Sequence, residues 1–154
     1  MLNPEKLLAE LIALPSVNPA FLPDQPEWTG EQRVADFLAH QADRAGLELS
    51  FQKVFPGRSN LIARLIPAGG RTRQRVLLAP HMDTVGVSDE SSFKPRKSGG
   101  RLYGRGACDT KGSVSAMFSA LLHLAIKGER PQQTEIALLA LVDEEHGQNG
   151  SWTF

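Results

Sequence analysis

The chain has 154 residues, 41% of them hydrophobic, which predicts a single globular domain with a substantial apolar core. Its 17 basic and 17 acidic residues balance, and this argues against a surface built for nucleic acid or anionic lipid. The lone Cys108 excludes an intrachain disulfide and fits a reducing compartment. No apolar stretch approaches the roughly 20 residues of a membrane span, and the first residues lack signal-peptide features, so we expect a cytoplasmic protein.

Two helices are predicted in the first third of the chain. Asn3 is a good N-cap residue and Pro4 a good first helical residue, and leucines at helical spacing follow them. A loop rich in proline comes next. Thr29 and Gln32 then form a capping-box pair that predicts the start of the second helix, and Gly46 predicts its end.

The rest of the chain predicts four strands and a third helix. Alternating patterns over 47–51 and 61–65, separated by a Pro-Gly turn, indicate half-buried strands. Unalternating apolar runs over 75–79 and 135–142 are typical of strands buried on both faces, and an amphipathic helix over 112–127 connects them. Strand, crossover helix and strand form a βαβ unit with parallel strands. The predicted fold class is therefore α/β, with a central mixed, largely parallel sheet flanked by helices.

Ionisable residues follow both of the predicted buried strands. His81 and Asp83 come directly after the first strand, Glu144 and Glu145 come after the second, and Asp109 lies in the loop before the crossover helix. Ligands of open parallel sheets bind beyond the carboxyl ends of the strands. We therefore expect these five side chains to converge at one edge of the sheet.

The spacing of these residues suggests a separate role for each of them around a metal ion. Residues i and i+2 of an extended chain point to the same side, so the Asp83 carboxylate can orient His81 and leave its other ring nitrogen free for a metal. Adjacent Glu144 and Glu145 are expected to point in different directions, one toward a metal and one available for proton transfer. Asp109 could bridge two ions. Clustered carboxylates repel one another without a cation, and the nitrogen and oxygen donor set suits Zn²⁺, with Co²⁺ or Mn²⁺ as alternatives.

At three segments the sequence resembles the M20 metallopeptidases, a family that includes acetylornithine deacetylase, succinyl-diaminopimelate desuccinylase and glutamate carboxypeptidase. The segments are LLAPHMDTV (77–85), GRLYGRGACDTKGSVSAM (100–117) and LLALVDEEHGQNGS (138–151). The resemblance implies a zinc-peptidase-like catalytic domain, of which residues 1–154 would be the N-terminal portion. The lid or dimerisation domain and the C-terminal part of the catalytic domain would then lie outside this chain.

The same resemblance implies a role for each residue of the cluster. His81 would bind one metal ion, Asp109 would bridge both ions and Glu145 would bind the other. Glu144 would be the general base, and Asp83 would orient His81. The resemblance also implies a cis peptide bond between Asp109 and Thr110.

The implied activity is hydrolysis of an amide bond in an N-acyl amino acid or small peptide, by water that two metal ions activate. The family pattern needs a further acidic ligand and a second histidine ligand, both expected beyond Phe154, and its members can form homodimers through the further domain. Two hypotheses therefore stay open at this point. The chain is either the front portion of such a hydrolase or a truncated, inactive fragment with weak metal binding; a two-metal aminopeptidase of related architecture is disfavoured by its different motif spacing.

Several other residues with reactive side chains are predicted to have structural roles. The glycines at 104, 106 and 112 do not match a phosphate-binding loop, and a tight turn at the metal site explains them better. No histidine is placed to activate Cys108 as a nucleophile. The remaining histidines are expected to serve packing or the surface: His40, His123 and His146.

Overall fold

The computed structural model describes residues 3–154. Its helices are α1 (Pro4–Ile12), α2 (Gln32–Arg44), α3 (Lys111–Lys127) and α4 (Asn149–Thr153). Its strands are β1 (Glu48–Phe55), β2 (Arg58–Leu65), β3 (Gln74–Leu78), β4 (Arg96–Ser98), β5 (Arg101–Tyr103) and β6 (Thr134–Ala140). No helix within this part of the chain is long and apolar enough to cross a membrane.

The main sheet has the strand order β1-β2-β6-β3. Strands β1 and β2 form an antiparallel hairpin, β2 pairs antiparallel with β6, and β6 pairs parallel with β3. The predicted mixed α/β architecture is confirmed, and so is the parallel pairing across the α3 crossover. The sheet is not largely parallel within residues 3–154, because the tight turn of the hairpin makes β1 antiparallel to β2, and β2 in turn lies antiparallel to β6.

The predicted cap of α1 and the predicted end of the third helix at residue 127 agree with the structure, whereas the predicted start of α2 does not. The Asn3 side chain accepts a hydrogen bond from the backbone N–H of Glu5 at 2.9 Å, which is the predicted cap of α1. Gly128, with a φ of 69°, ends α3 as a left-handed C-cap. The predicted capping box of α2 is wrong, because the N-cap position falls on Glu31 while Thr29 forms a β-bridge with Val17.

The core lies between the sheet and the first three helices. Inward-facing residues of β2 and β6 pack there against the apolar faces of α1, α2 and α3. Within residues 3–154, the opposite face of the sheet carries a small buried apolar cluster, formed by Ile62, Leu139 and Leu141. The layering therefore leaves the carboxyl ends of β3 and β6 at one edge of the molecule, next to the start of α3.

The predicted burial of β3 on both faces is wrong. Val76 and Leu77 are 45% and 42% exposed, whereas the second half of β6 is buried throughout. The difference arises because β6 has a neighbouring strand on each side, while β3 is an outer strand that pairs with β6 alone within residues 3–154. The glycine-rich segment after β3 is also more regular than predicted, since it contains a 3₁₀ turn at Glu90–Phe93 and the β4–β5 hairpin.

Candidate metal centre

The backbone that follows β3 continues alongside β6 and places His81 at the edge of the sheet. His81 forms an isolated parallel bridge with Leu141. The Leu141 N–H donates to the Pro80 carbonyl at 2.9 Å, and the Met82 N–H donates to the Leu141 carbonyl at 2.8 Å. These two bonds hold His81 beside the residues that immediately follow β6. These backbone hydrogen bonds thus produce the predicted convergence of the two strand ends.

Asp83 contacts the His81 ring through both its backbone and its side chain. Nδ1 of His81 lies 3.0 Å from the backbone carbonyl oxygen of Asp83 and 3.4 Å from carboxylate Oδ1. The shorter contact is the carbonyl, so the carboxylate expected to make this bond is only the second acceptor. The carboxylate is buried and also accepts the backbone N–H groups of Glu144 and Glu145, each at 3.1 Å. Asp83 therefore connects the two strand ends directly.

Three carboxylates surround the free side of the His81 ring. Nε2 of His81 lies 3.1 Å from Oδ1 of Asp109 and 3.5 Å from Oε2 of Glu144. Ligand atoms of His81, Asp109 and Glu145 all lie within 4.8 Å of one another. Glu144 therefore reaches the same ring that forms the ligand group with Asp109 and Glu145.

A tight loop presents Asp109 at the start of α3. The peptide bond between Asp109 and Thr110 is cis, as predicted. Gly106 has a φ of 79°, and its carbonyl accepts the Lys111 N–H at 2.8 Å, which closes the loop onto the first turn of α3. Asp109 is therefore solvent-exposed with its carboxylate turned toward His81, and the neighbouring Cys108 is exposed as a free thiol.

The electrostatics of the cluster favour a cation. Burial lowers the pKa of His81, but the surrounding Asp83, Asp109 and Glu144 carboxylates outweigh it and raise that pKa to about 9. Burial also raises the pKa of Glu145, and neighbouring carboxylates add to the increase against the opposing charge of His81. The Asp83 pKa is lowered, because hydrogen bonds from His81, Asn18 and two backbone N–H groups outweigh the effect of burial.

The residues present fit a divalent metal ion. His81 donates from Nδ1 to Asp83 and thereby leaves Nε2 as the ring atom that faces the carboxylates of Asp109 and Glu145. One nitrogen and two carboxylate oxygens form a donor set that Zn²⁺, Co²⁺ and Mn²⁺ accept. A bound ion would displace the proton that these carboxylates hold on His81 and would relieve their mutual repulsion.

Sequence reasoning missed a buried polar network behind the cluster. Asn18 donates to carboxylate oxygens of Asp83 at 2.8 Å and Asp143 at 3.0 Å. Glu31, which is fully buried, accepts two hydrogen bonds of 2.7 Å from Arg58 and one from the Asp143 N–H at 3.1 Å. These partners are separated by 27 to 125 residues along the chain, so no local pattern could have indicated them.

Lys111 is the other functional candidate that sequence reasoning missed. It is only 1% exposed, and its ammonium group donates to the carbonyls of Leu11 at 2.9 Å and Leu14 at 2.7 Å. These bonds tie the beginning of α3, directly after Asp109, to the end of α1. A signal was available, because Lys111 begins a helix on the side that the apolar stripe of α3 marks as buried.

The remaining histidines lie outside the ligand group of His81, Asp109 and Glu145. His146 packs edge-on against Phe21, with ring centroids 6.4 Å apart. His40 lies on the exposed side of α2, and His123 is half-buried on α3. The structure therefore brings together the five predicted site residues and leaves these three apart.

Comparison with protein families identifies residues 77–154 as a match to the family described as peptidase family M20/M25/M40. Among curated proteins, the chain is 30% identical over 151 residues to a probable succinyl-diaminopimelate desuccinylase of Staphylococcus aureus, an alignment that covers 95% of this chain and 34% of the relative. It is 35% identical over 119 residues to a peptidase M20 domain-containing protein of Schizosaccharomyces pombe, covering 75% of this chain and 28% of that protein.

Solved structures share the fold. A tripeptidase from Staphylococcus aureus superposes with a TM-score of 0.73 at 20% identity, over 100% of this chain and 40% of its own. An M20 family metallo-carboxypeptidase from Sulfolobus solfataricus gives 0.71 at 23% identity, over 94% of this chain and 31% of its own. Human carnosine dipeptidase 1 gives 0.70 at 21% identity, over 94% of this chain and 32% of its own.

The family match contains every residue of the ligand group. Residues 77–154 include His81, Asp109 and Glu145, and they account for half of the chain. The chain spans about a third of the length of the curated relatives it matches. On the strength of this match, the chain belongs to peptidase family M20/M25/M40.

Proposed function

We propose that residues 1–154 form the N-terminal portion of the catalytic domain of a metal-dependent hydrolase. The reaction is cleavage of an amide bond in an N-acyl amino acid or small peptide. The observation that carries this proposal is the convergence of His81, Asp109 and Glu145 at the end of the βαβ unit, with Glu144 beside them and Asp83 behind. Membership of the peptidase family supports the same reaction class.

The residues of the cluster divide into metal ligands and a proton carrier. His81 and Asp109 would hold one Zn²⁺ ion, and Asp109 and Glu145 would hold a second, with Co²⁺ or Mn²⁺ able to replace zinc. When bound, the ions lower the pKa of water and polarise the substrate's amide carbonyl. Asp83 keeps the His81 ring in the orientation that exposes Nε2 to this region.

Glu144 is the general base of the proposed reaction. Its side chain is 40% exposed and reaches to 3.5 Å from Nε2 of His81, so it borders both solvent and the ligand group. Glu144 takes a proton from the water whose oxygen forms the new bond to the carbonyl carbon. When the carbon–nitrogen bond breaks, that proton goes to the departing amine, and the products are a carboxylate and a free amine.

The names of the relatives indicate the substrate class. The matched desuccinylase and tripeptidase point to a small N-acylated amino acid or a short peptide, and we propose the same range for this protein. A homodimer formed through a further domain and a cytoplasmic location stay predictions.

The test of the proposal is the Glu144→Gln variant. The amide that replaces the carboxylate keeps the shape of the side chain but cannot accept the proton, so Zn²⁺ binding should be unchanged while turnover of N-acyl amino acids falls at least ~100-fold. Isothermal titration with Zn²⁺ and an amine-release assay measure the two quantities. Glu129→Gln, at an exposed position after α3, is the matched control and should keep both. Unchanged turnover in Glu144→Gln would contradict the assigned role.

A second candidate is a chain that binds metal weakly and has no catalytic activity. The observation that favours it is the ligand count, because His81, Asp109 and Glu145 give each of two ions fewer than the three protein ligands that a catalytic zinc usually has. The Zn²⁺ titration separates the two candidates. Weak binding of a single ion with no amine release supports the second candidate, and sub-micromolar binding of two ions excludes it.

A further inference from the structure

Asn18 occupies a position between the two strand ends that form the candidate metal centre. It lies in the loop between α1 and α2 and is 1% exposed. Its amide nitrogen donates to Oδ2 of Asp83 at 2.8 Å and to Oδ1 of Asp143 at 3.0 Å. Asp83 follows β3 and contacts His81, and Asp143 follows β6 and directly precedes the glutamate pair. One side-chain amide thus joins both halves of the cluster.

The contacts of Asn18 fix which end of its amide faces the carboxylates. Its Oδ1 accepts the backbone N–H of Ala20 at 3.1 Å, and its own backbone N–H donates to the Thr84 carbonyl at 2.8 Å. The nitrogen end must then face Asp83 and Asp143, because an ionised carboxylate can only accept hydrogen bonds. Both hydrogens of the Asn18 amide are therefore used, one for each carboxylate.

The carboxylates that Asn18 joins control the glutamate pair. The Asp83 carboxylate accepts the N–H groups of Glu144 and Glu145 at 3.1 Å each. Asp143, whose φ is 66°, is held by Arg58 at 3.2 Å and by the Asn149 side chain at 2.6 Å. A shift of either aspartate would move the backbone from which both glutamates project.

We propose that Asn18 is a positioning residue of the metal centre, which sets the spacing between the His81 segment and the Glu144–Glu145 segment through Asp83 and Asp143. The inference rests on the proposed function, because it assigns Asn18 to the metal site of that reaction. Two buried carboxylates without the amide between them repel each other, and Asp83 then loses part of the hydrogen bonding that fixes its orientation. Groups that orient the ligands of a metal site from behind typically contribute about 10–100-fold to metal affinity.

The first experiment measures Co²⁺ binding by visible absorption for the purified protein and three variants at pH 8. Asn18→Ala removes both donors, and we expect affinity about 10-fold below that of the unsubstituted protein. Asn18→Asp keeps the side-chain shape but replaces the donors with a third carboxylate, so its affinity should be lower still. Ser115→Ala is the control: Ser115 lies on α3, is 2% exposed and donates its hydroxyl to the Pro4 carbonyl, away from Asp83 and Asp143. Its variant should be destabilised without a comparable loss of Co²⁺ affinity.

The second experiment needs no metal. Amide hydrogen exchange, followed by NMR in EDTA, measures the exchange rates of the Glu144 and Glu145 N–H groups. The rate of Leu138, in β6, is the reference. In Asn18→Ala these two amides should exchange about 10-fold faster relative to Leu138, whereas in Ser115→Ala their exchange rates should change by the same factor as that of Leu138.

The outcomes separate this inference from the proposed function. Three results would each overturn the role of Asn18: unchanged relative exchange in Asn18→Ala, tighter Co²⁺ binding by Asn18→Asp than by Asn18→Ala, or an equal loss of affinity in Ser115→Ala. Failure of the unsubstituted protein to bind Co²⁺ would overturn the proposed function, and the exchange measurement would still decide whether Asn18 positions the glutamates.

Discussion

At the scale of single residues, Lys111 is an ionisable side chain that is buried in the core. It is 1% exposed, and its ammonium group donates to the Leu11 and Leu14 carbonyls. Burial lowers its pKa from 10.5 to about 7. The two carbonyls lie at and just after the end of α1, where backbone oxygens run out of helical partners. The Leu11 carbonyl also accepts the Leu14 N–H at 3.2 Å, so the Lys111 side chain is a second donor to Leu11 and a donor to the Leu14 carbonyl.

The pKa of Lys111 makes the stability of the protein depend on pH. In the unfolded chain the amine keeps its proton up to a pKa near 10.5, whereas in the folded protein it releases the proton above about pH 7. Between these values the unfolded state binds more protons, so Lys111 makes the free energy of unfolding rise with pH, by at most about 1.4 kcal/mol per pH unit. Urea unfolding in EDTA at pH 7.5, 8.5 and 9.5 measures the total slope. His81 contributes to that slope in the opposite direction up to about pH 9, because its pKa is raised from 6.5 to about 9 on folding, so the Lys111 contribution is the difference from a variant that lacks the amine.

The Lys111→Met variant isolates the contribution. It removes the titrating amine and its hydrogen bonds to both carbonyls, so its stability at pH 9.5 should be lower by about 1–3 kcal/mol and its slope with pH should be smaller. Lys127→Met, at the exposed end of α3, is the control and should keep the slope. Equal slopes in the Lys111 variant and the unsubstituted protein would contradict the prediction.

At the scale of elements, the loop before α3 depends on Gly106. A Cβ at this position would lie 2.9 Å from Cγ2 of Thr84 and 3.0 Å from Cδ of Lys111, in a backbone conformation with a φ of 79°. Thr84 follows Asp83 and Lys111 follows the Asp109 loop, so added bulk would separate two parts of the candidate metal centre.

We predict that Gly106→Ala weakens metal binding as well as the fold. The left-handed backbone alone costs an alanine about 1–2 kcal/mol, and the contacts with Thr84 and Lys111 add to it. Gly70→Ala provides the control, because Gly70 has a φ of 67° and open space around its Cβ position. Thermal unfolding should show a loss in both variants, larger for Gly106→Ala, and Zn²⁺ titration should show weaker binding only in Gly106→Ala. Equal losses of thermal stability and of Zn²⁺ affinity in the two variants would contradict the special role of Gly106.

Elements with a strong local signal were predictable from the sequence. Helix α1 has its cap at Asn3, α3 ends at Gly128, and the parallel pairing of β3 with β6 follows from the crossover between them. The exposure of β3 was not predictable, because an apolar run is the same in an outer strand as in a central one. Strands β4 and β5 have three residues each, too few to show alternation.

The sequence predicts the metal ligands of the candidate site but not the nonlocal contacts that hold them. His81, Asp109 and Glu145 lie at strand and helix ends, and the topology alone brings them together. Asp83, which orients His81, was predictable from its spacing of two residues, but the partners behind Asp83 follow no spacing rule. Asn18 reaches Asp143 across 125 residues, and only the packing of the α1–α2 loop against the sheet edge brings the two together.

At the scale of the whole molecule, the candidate metal centre joins three segments that are distant along the chain. His81 follows β3, Asp109 precedes α3 and Glu145 follows β6. Burial raises the pKa of Glu145, and without a cation the repulsion from the Asp109 carboxylate raises it further. An ion that binds this arrangement and not the unfolded chain must stabilise the whole fold.

We predict that Zn²⁺ raises the unfolding temperature and that EDTA reverses the increase. At a free concentration 100 times the dissociation constant, binding adds about 2.7 kcal/mol, which corresponds to roughly 5–10 °C for a domain of this size. Differential scanning calorimetry with increasing Zn²⁺ measures the shift. His81→Ala removes the nitrogen ligand and should abolish most of it, while His40→Ala, at an exposed position on α2, should keep it. An equal increase in unfolding temperature in both histidine variants would show that the ion binds elsewhere. The ion would then stabilise the fold without joining the three segments that meet at His81.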